Sequence, residues 1–438
     1  ALNTDEVYHI LRKRLFEELP EETEVWEIAR AYAEAVKNAK QMDITNASPE
    51  KFAAQLKESY PFHFAIRDLY ARFRENPGFQ QTRGLIRLMR TVVARLFNSE
   101  DGRADRLYMI HAHNLDLNDP DTRGEVISIN PTLDNAISHD IAASGQAIAE
   151  IIDSHLGGTD AQDATTLLLV SSLANVPNGV LGLSLSEVVS YLCTPGRDVS
   201  KLPKDILGVL TTKAWYLHSN REGKLYFKNI QNLVAKLKTT AEGYNRESSL
   251  KQLRTFLEET FKPLSLKDCY QEVLVFPAID EIQIKSDKVT LVICEPDAAS
   301  SLSADLQNFY NDLDYKNRIL FLSGSRNTME SLLENAAELK AIATILREME
   351  AEKVPDNDPQ LVAARDIRDN VQLRLLSAMR ETFTTLTYPS GDGLLTADFL
   401  MNYTDNDYNG EKQIRETLKA KQKFTEDVAS DSFRKKCE

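Results

Sequence analysis

Apolar residues recur every three or four positions through the first hundred residues, which is the period of a helix with one buried side. Two such stripes cover residues 5–40 and are separated near Pro20, and a shorter amphipathic segment follows at residues 49–60. The apolar positions of the first two stripes are Val7, Ile10, Leu11, Leu15, Val25, Ile28, Ala29, Tyr32 and Val36. The pattern therefore predicts that residues 1–100 form an all-α domain.

Two further helices are predicted between residues 60 and 97. Asn76-Pro77-Gly78 should separate them, because proline cannot continue helical hydrogen bonding and glycine accepts turn geometry. One side of the second helix is apolar, and its other side carries Arg83, Arg87 and Arg90. The start of a helix favours anions rather than cations. This arginine row is therefore either a solvated face with ion pairs or a surface for phosphate or carboxylate groups.

The middle of the chain predicts a connector followed by a winged helix. Residues 101–160 are expected to be a linker and helical connector, with a loop over residues 116–124 and a helix over 134–156. Residues 161–262 predict helices at 164–175, 184–192 and 201–212, a hairpin made by 215–218 and 224–227, and a connector helix. Three helices followed by a hairpin is the order of a winged helix.

Winged helices bind DNA in many proteins, with the third helix in the major groove. The candidate DNA contacts are Lys201, Lys204 and Lys213 on that helix, and Arg221 and Lys224 on the hairpin. Asp198, Asp205 and Glu222 oppose them, so the patch is weakly basic. A winged helix that packs against protein instead is the alternative.

Residues 263–438 predict a small α/β domain with long helices. Short β-branched runs at 273–276, 289–294 and 319–322 are typical of buried strands, and residues 327–388 predict two long helices. Near the end, Asp405, Asp407, Asn409, Gly410 and Glu416 match the spacing of a calcium-binding loop. The alternative is a capped turn that leads into a helix at 411–423.

Composition limits the classes of function. The 438 residues are 42% hydrophobic and 27% charged, with a net charge of −14, so nucleic acid could bind only at a local basic patch. The four cysteines lack paired spacing, and two alternating histidines, His111 and His113, are too few for a metal site, so no metal is expected. No apolar run could span a membrane, and a cytoplasmic protein is expected.

The stretch Tyr60-Pro-Phe-His63, followed by Phe79-Gln-Gln-Thr-Arg-Gly-Leu-Ile-Arg-Leu-Met89, resembles the lid region of a family of large prokaryotic AAA+ ATPases. That family includes the PglY and BrxC-type ATPases of bacteriophage-exclusion and phage growth limitation systems. The resemblance implies that residues 1–100 are an AAA+ lid and that Arg83 and Arg87 sense the phosphates of ATP. It also implies ATP and Mg²⁺ as cofactors of a parent protein, with an upstream nucleotide-binding core and defence-system proteins as partners.

The chain departs from that family in one respect. It contains no Gly-x-x-x-x-Gly-Lys-Ser/Thr loop, whose backbone N–H groups and lysine hold the phosphates. The sequence also starts at Ala1. Together with the resemblance, this predicts the C-terminal part of a longer ATPase, which binds no cofactor by itself and does not hydrolyse ATP alone.

These observations predict a mainly α, multi-domain protein and leave three hypotheses for its function. The first is a non-catalytic part of an AAA+ ATPase that couples ATP state to binding of DNA or a partner, in phage defence. The second is a stand-alone winged-helix DNA-binding or regulatory protein. The third is an assembly scaffold without nucleotide. No Gly-x-Ser-x-Gly or His-Glu-x-x-His motif supports an independent enzyme.

Overall fold

The structure is a computed structural model that describes residues 4–45, 47–77, 79, 81–98, 100–177, 179–297, 302–391, 393–402 and 408–425. Two compact units divide the chain, Ala1–Lys236 and Leu237–Glu438. The chain is mainly helical, with one two-stranded and one five-stranded sheet among the described residues. This confirms a mainly α, multi-domain layout. The division into four domains at residues 100, 160 and 262 stays a prediction.

The first unit begins with five helices that follow the apolar stripes. Pro49 and its cap Ser48 start the third helix, whose first N–H groups would otherwise lack partners. The helices are α1 (Thr4–Leu15), α2 (Glu22–Asn38), α3 (Pro49–Ser59), α4 (Ala65–Phe73) and α5 (Gln81–Leu96). The apolar side of α5 is buried, as its helical spacing predicts.

The rest of the first unit contains shorter helices and a hairpin. The helices are α6 (Pro120–Ile129), α7 (Asp134–Ala136), α8 (Ile148–Leu156), α9 (Asp160–Val170), α10 (Leu185–Leu192) and α11 (Gly208–Lys213). Two π-helical segments adjoin them, Ile137–Ile141 after α7 and Leu202–Leu207 before α11. Strands β1 (Leu217–Ser219) and β2 (Leu225–Phe227) pair antiparallel, and Leu183 makes an antiparallel bridge to Leu225.

Two predictions for residues 101–160 are wrong. The segment 116–124 is not all loop, because α6 begins at Pro120, with the Asp119 carboxylate accepting the Thr122 N–H at 2.8 Å. The helix predicted over 134–156 is interrupted between Ile141 and Ile148. There the Glu150 carboxylate accepts the N–H groups of Ala143, Gly145 and Ala147 at 2.8–3.0 Å. That carboxylate supplies partners for backbone groups that a continuous helix would have paired internally.

One hydrophobic core extends through most of the first unit. It runs from Tyr8 in α1 to Phe227 in β2, and a smaller cluster lies between α2 and α3. Asn76 joins three segments of this unit: its amide donates to the carbonyls of Ile129 and Leu173 and accepts the Asn175 N–H. Asn76, which the sequence predicts only to end a helix, is thus buried, with 3% of its surface exposed, and its side chain connects these segments by hydrogen bonds.

The second unit is built on the five-stranded sheet. The strand order is β3 (Glu272–Val275), β4 (Thr290–Ile293), β5 (Ile319–Gly324), β6 (Phe383–Ser390) and β7 (Gly393–Asp398). Strands β3, β4 and β5 are parallel to one another, β6 pairs antiparallel with β5, and β7 pairs antiparallel with β6. Strand β5 is buried throughout. The helices are α12 (Leu233–Glu242, which begins in the first unit), α13 (Arg246–Thr260), α14 (Ala304–Asn311), α15 (Met329–Ala351), α16 (Pro359–Thr382) and α17 (Gly410–Ala420).

The three predicted strands and the two long helices are confirmed in the second unit, but residues 327–388 are not helical to their end. Strand β6 follows α16 directly at Phe383 and pairs with β5 through Leu386 and Leu322. The run Phe383-Thr-Thr-Leu-Thr-Tyr388 is rich in β-branched and aromatic residues. Such residues favour a half-buried sheet surface, so the chain forms a strand here instead of continuing α16.

Short 3₁₀ turns complete the described chain. They are Met42–Thr45, Ala104–Arg106, Pro131–Leu133, Ile279–Glu281, Lys316–Arg318 and Arg326–Thr328. The turn at Ala104–Arg106 lies after α5; Arg103 precedes it and Arg106 ends it.

Candidate functional site

The predicted arginine row lies on the exposed side of α5. Arg83, Arg87 and Arg90 are all exposed, while Leu85 and Leu88 between them are buried. Arg87 Nε donates to Glu125 Oε2 of α6 at 2.6 Å. Arg83 makes no ion pair within the part of the chain that the structure describes. Among the described residues, the row therefore contains one cation held by a carboxylate, Arg87, and two exposed cations without an ion pair, Arg83 and Arg90.

The predicted DNA contacts lie on the surface around α11 and the hairpin. Lys201, Lys204, Lys213 and Arg221 are exposed, and Lys224 is partly exposed. Lys224 Nζ lies 3.8 Å from a Glu222 carboxylate oxygen, which lowers the local positive charge. The Asn220 side chain accepts the N–H groups of Glu222 and Lys224, so the hairpin turn has a fixed shape.

A cluster of buried histidines, which sequence patterns did not predict, lies deeper in the first unit. A parallel bridge joins Phe62 to Ile110, and the His63 N–H donates to the Ile110 carbonyl at 2.8 Å. This bridge brings His63 against His111, with ring centroids 4.6 Å apart, and His113 follows at 4.9 Å from His111. Tyr32 Oη lies 2.8 Å from His111 Nε2.

Burial holds these three imidazoles neutral. Removal from water lowers the pKa of His63 to about 3 and of His113 to about 4, and it lowers the pKa of His111 well below its ordinary value. Neighbouring histidines act in the same direction on His63 and His111, because two adjacent imidazolium charges would repel. The cluster can therefore exchange hydrogen bonds at neutral pH but carries no charge there.

Arginine–aspartate pairs flank the histidine cluster. Arg197, with a side chain 16% exposed, binds both Asp160 and Asp163 of α9. On the other flank, Arg95 holds Asp101 in a bidentate pair and Asp116 at 3.0 Å. Asp153 accepts the N–H groups of Ala161 and Gln162 at the start of α9, and burial raises its pKa to about 6.

The sequence held one clue to this cluster, the alternation of His111 and His113. The partners that make it a site, Tyr32 and His63, are far away in sequence. Contacts of this kind follow from the packing of the whole unit and leave no periodic pattern. The residue type itself is a further signal, since histidine is frequent at binding sites.

Metal and thiol chemistry find little support in the described residues. Within these residues, no group of three or more His, Cys, Asp or Glu side chains could hold a metal ion. Cys193, Cys269 and Cys294 are buried free thiols, and burial raises the pKa of each.

Asp405 and Asp407 of the calcium-like loop lie outside the described residues. Asn409 caps α17 by accepting the Lys412 N–H, and this helix confirms the one predicted near 411–423.

None of the helices in the described part of the chain combines the length and the apolar character needed to cross a bilayer.

Comparison with known proteins gives one family match. Residues 3–157 match the family model described as DUF499 second domain. The matched segment includes the arginine row of α5 and all three clustered histidines, and it ends before α9. No curated protein and no solved structure gives a significant match.

Proposed function

We propose that this chain is a non-catalytic module of an AAA+ ATPase, in which residues 1–100 act as a lid and sense ATP held by a separate nucleotide-binding core. The observation that carries the proposal is the exposed, outward-facing arginine row of α5, with Arg83 open to solvent. A guanidinium pairs bidentately with phosphate oxygens and stays charged at every physiological pH. ATP and Mg²⁺ would be supplied and bound by that core.

Arg83 and Arg87 are expected to contribute unequally. Arg83 needs no rearrangement to meet a phosphate, whereas Arg87 must first leave Glu125. Both side chains are substantially exposed, so neither is needed for the fold. If the row is only a solvated face, neither position should affect ATP hydrolysis.

The test is ATP hydrolysis by the complete gene product, compared with this chain alone. We expect no turnover from the chain alone and a loss of roughly tenfold or more on Arg83→Ala, because a guanidinium at the phosphates stabilises charge in the transition state. Arg14→Ala, an exposed arginine of α1, is the matched control. An ATPase that is unchanged by both Arg83→Ala and Arg87→Ala would reduce the row to a solvated face.

A second candidate function, DNA contact by a winged helix, is favoured by the element order. Helix α9 is followed by the single bridge residue Leu183, which pairs with Leu225 of β2, and then by α10, α11 and the hairpin. That is the order of a winged helix, and five basic side chains surround its third helix and hairpin. This function could serve the ATPase module or a stand-alone regulatory protein.

DNA binding is tested by fluorescence anisotropy across a salt series. If the helix and hairpin meet phosphates, affinity falls with salt by a log–log slope of about −0.9 for each phosphate neutralised. Lys204→Glu and Arg221→Glu should each weaken binding, and Lys13→Glu on α1 should not. DNA binding that is unchanged by all three substitutions would favour a winged helix that contacts protein, or an assembly scaffold.

The phage-defence setting and the defence-system partners are likewise proposals, which rest on the resemblance of residues 60–97.

A further inference from the structure

Two adjoining cavities lie beside the histidine cluster. One has a volume of about 180 Å³ and the other of about 380 Å³. Arg103, Leu107, His113, Asn114 and Asp163 line both, so these side chains form the wall that the cavities share. The larger cavity is within the range of small-molecule sites.

Most of the charge around the cavities is already neutralised. Asp163 is held by Arg197, and Asp101 and Asp116 are held by Arg95. Arg103 and Arg106 are different, because they are exposed and make no ion pair within the described ranges of the chain. The cavity rim therefore keeps two positive charges without a protein counter-ion.

These two arginines flank a tight turn, and both line the larger cavity. Arg103 precedes the 3₁₀ turn Ala104–Arg106, and the Arg106 N–H donates to the Arg103 carbonyl at 3.0 Å. In 3₁₀ geometry, side chains three positions apart are eclipsed. Two neighbouring guanidinium groups suit a dianion better than a single carboxylate. A phosphate monoester carries about −1.5 to −2 charges at pH 7.

The wall of the cavities holds an unsatisfied polar atom. His113 is only 6% exposed, and its Nδ1 has no hydrogen-bond partner within the described residues. A buried polar group without a partner costs about 1–3 kcal/mol, so such groups in a folded protein usually have a role. A ligand that enters the cavity could supply the missing hydrogen bond.

We propose that these cavities bind a small organic phosphate, of about the size of a nucleoside monophosphate, with the phosphate at Arg103 and Arg106 and a polar ring or hydroxyl at His113. Tyr32 and Tyr108 also line the larger cavity and offer aromatic surface to a ring. The residues that line the cavities include neither Arg83 nor any of the five basic residues proposed to contact DNA, so the phosphate site is tested independently of the functions proposed above.

The experiment is calorimetric titration of the chain with AMP and, separately, with inorganic phosphate. We expect AMP to bind at least tenfold more tightly than phosphate, because only AMP reaches from the rim to His113. The double substitution Arg103→Ala and Arg106→Ala should weaken both probes by tenfold or more. Arg14→Ala should change neither. All of these arginines are exposed or at the surface, and circular dichroism would verify that each variant is folded.

His113→Phe separates the two ends of the site. It should reduce the affinity for AMP towards that of phosphate and leave phosphate binding unchanged. The proposal is overturned if neither probe binds at millimolar concentration, if the two probes bind equally, or if the double arginine substitution changes nothing. Loss of ATP sensing at Arg83 would not affect any of these outcomes.

Discussion

At the scale of single residues, the most consequential feature is three neutral histidines in one buried cluster. An unfolded histidine has a pKa near 6.5 and takes up a proton as the pH falls below that value. In the folded chain, His63 and His113 take one up only near pH 3–4, and His111 also resists protonation. The unfolded state therefore binds more protons below pH 6.5, and the folded state loses stability as the pH falls.

We expect the free energy of unfolding of the first unit to fall by about 3 kcal/mol between pH 7.5 and pH 5.5. Three histidines contribute about 1.4 kcal/mol each over this interval, and Asp153, whose raised pKa acts in the opposite direction, offsets less than about 1 kcal/mol. Both tryptophans, Trp26 and Trp215, are in this unit, so urea unfolding followed by tryptophan fluorescence measures it. His113→Phe should remove about a third of the histidine contribution. Equal stability at the two pH values would contradict the neutral cluster.

At the scale of elements, the backbone bridge between Leu183 and Leu225 of β2 depends on Gly182. The Leu183 and Leu225 backbones exchange N–H···O bonds of 3.0 and 2.8 Å. Gly182, immediately before, has φ +79°, and a Cβ atom there would lie 2.5 Å from the Leu225 carbonyl oxygen. Glycine is needed at this position by both its backbone angle and the approach of the strand.

Gly182→Ala should therefore destabilise the first unit by about 2 kcal/mol, since it adds backbone strain and forces the bridge to β2 apart. Thermal unfolding followed by tryptophan fluorescence would detect this loss. Gly124→Ala is the matched control, because Gly124 is helical in α6 and a Cβ there meets nothing within 4 Å. The control should be neutral or stabilise by about 0.5–1 kcal/mol. Equal effects of the two changes would refute the close approach.

At the scale of the whole molecule, each of the two units has its own buried contacts. In the second unit, Glu411 of α17 is 2% exposed and accepts the Cys269 N–H at 2.8 Å. Arg415 binds Glu411 and also Asp268, at 2.6 Å in each case. Asp268 in turn accepts the N–H groups of Leu264 and Ser265. This network ties α17 to the segment that precedes β3.

Glu411→Ala should destabilise the second unit by about 3 kcal/mol, because it leaves the buried Cys269 N–H without its acceptor and removes one of the two carboxylates that hold Arg415. Circular dichroism should show a lower melting temperature for part of the helical signal, while the transition seen by tryptophan fluorescence, which belongs to the first unit, stays in place. Glu416→Ala, on the same helix, removes only an exposed pair with Lys419 and should change stability by less than about 1 kcal/mol. A shift of the tryptophan transition on Glu411→Ala would contradict separate units.

Much of the architecture follows from local signals in the sequence. The apolar stripe of α5, helix α10 and the hairpin of β1 and β2 lie where the patterns predict them, and the Ser184 side chain caps α10 by accepting the Glu187 N–H. Helix α6 also has local start signals, the cap Asp119 and Pro120 at its first position. The same segment is rich in Asp, Asn and Pro, which are also typical of loops, so the pattern predicts a loop there. Strand β6 is harder, because it follows α16 without a glycine or proline between them.

The sequence by itself determined most of the helices and strands, with α6 and β6 as exceptions, and which of their sides are apolar, because these depend on propensities and spacings within a few residues. It also determined that Arg83 and the lysines around α11 are exposed. Long-range packing decided the rest: that Glu125 reaches Arg87, that Asn76 ties three segments, and that His63 meets His111 across 48 positions. Such contacts depend on where distant segments meet in space, and no periodic pattern along the chain records that.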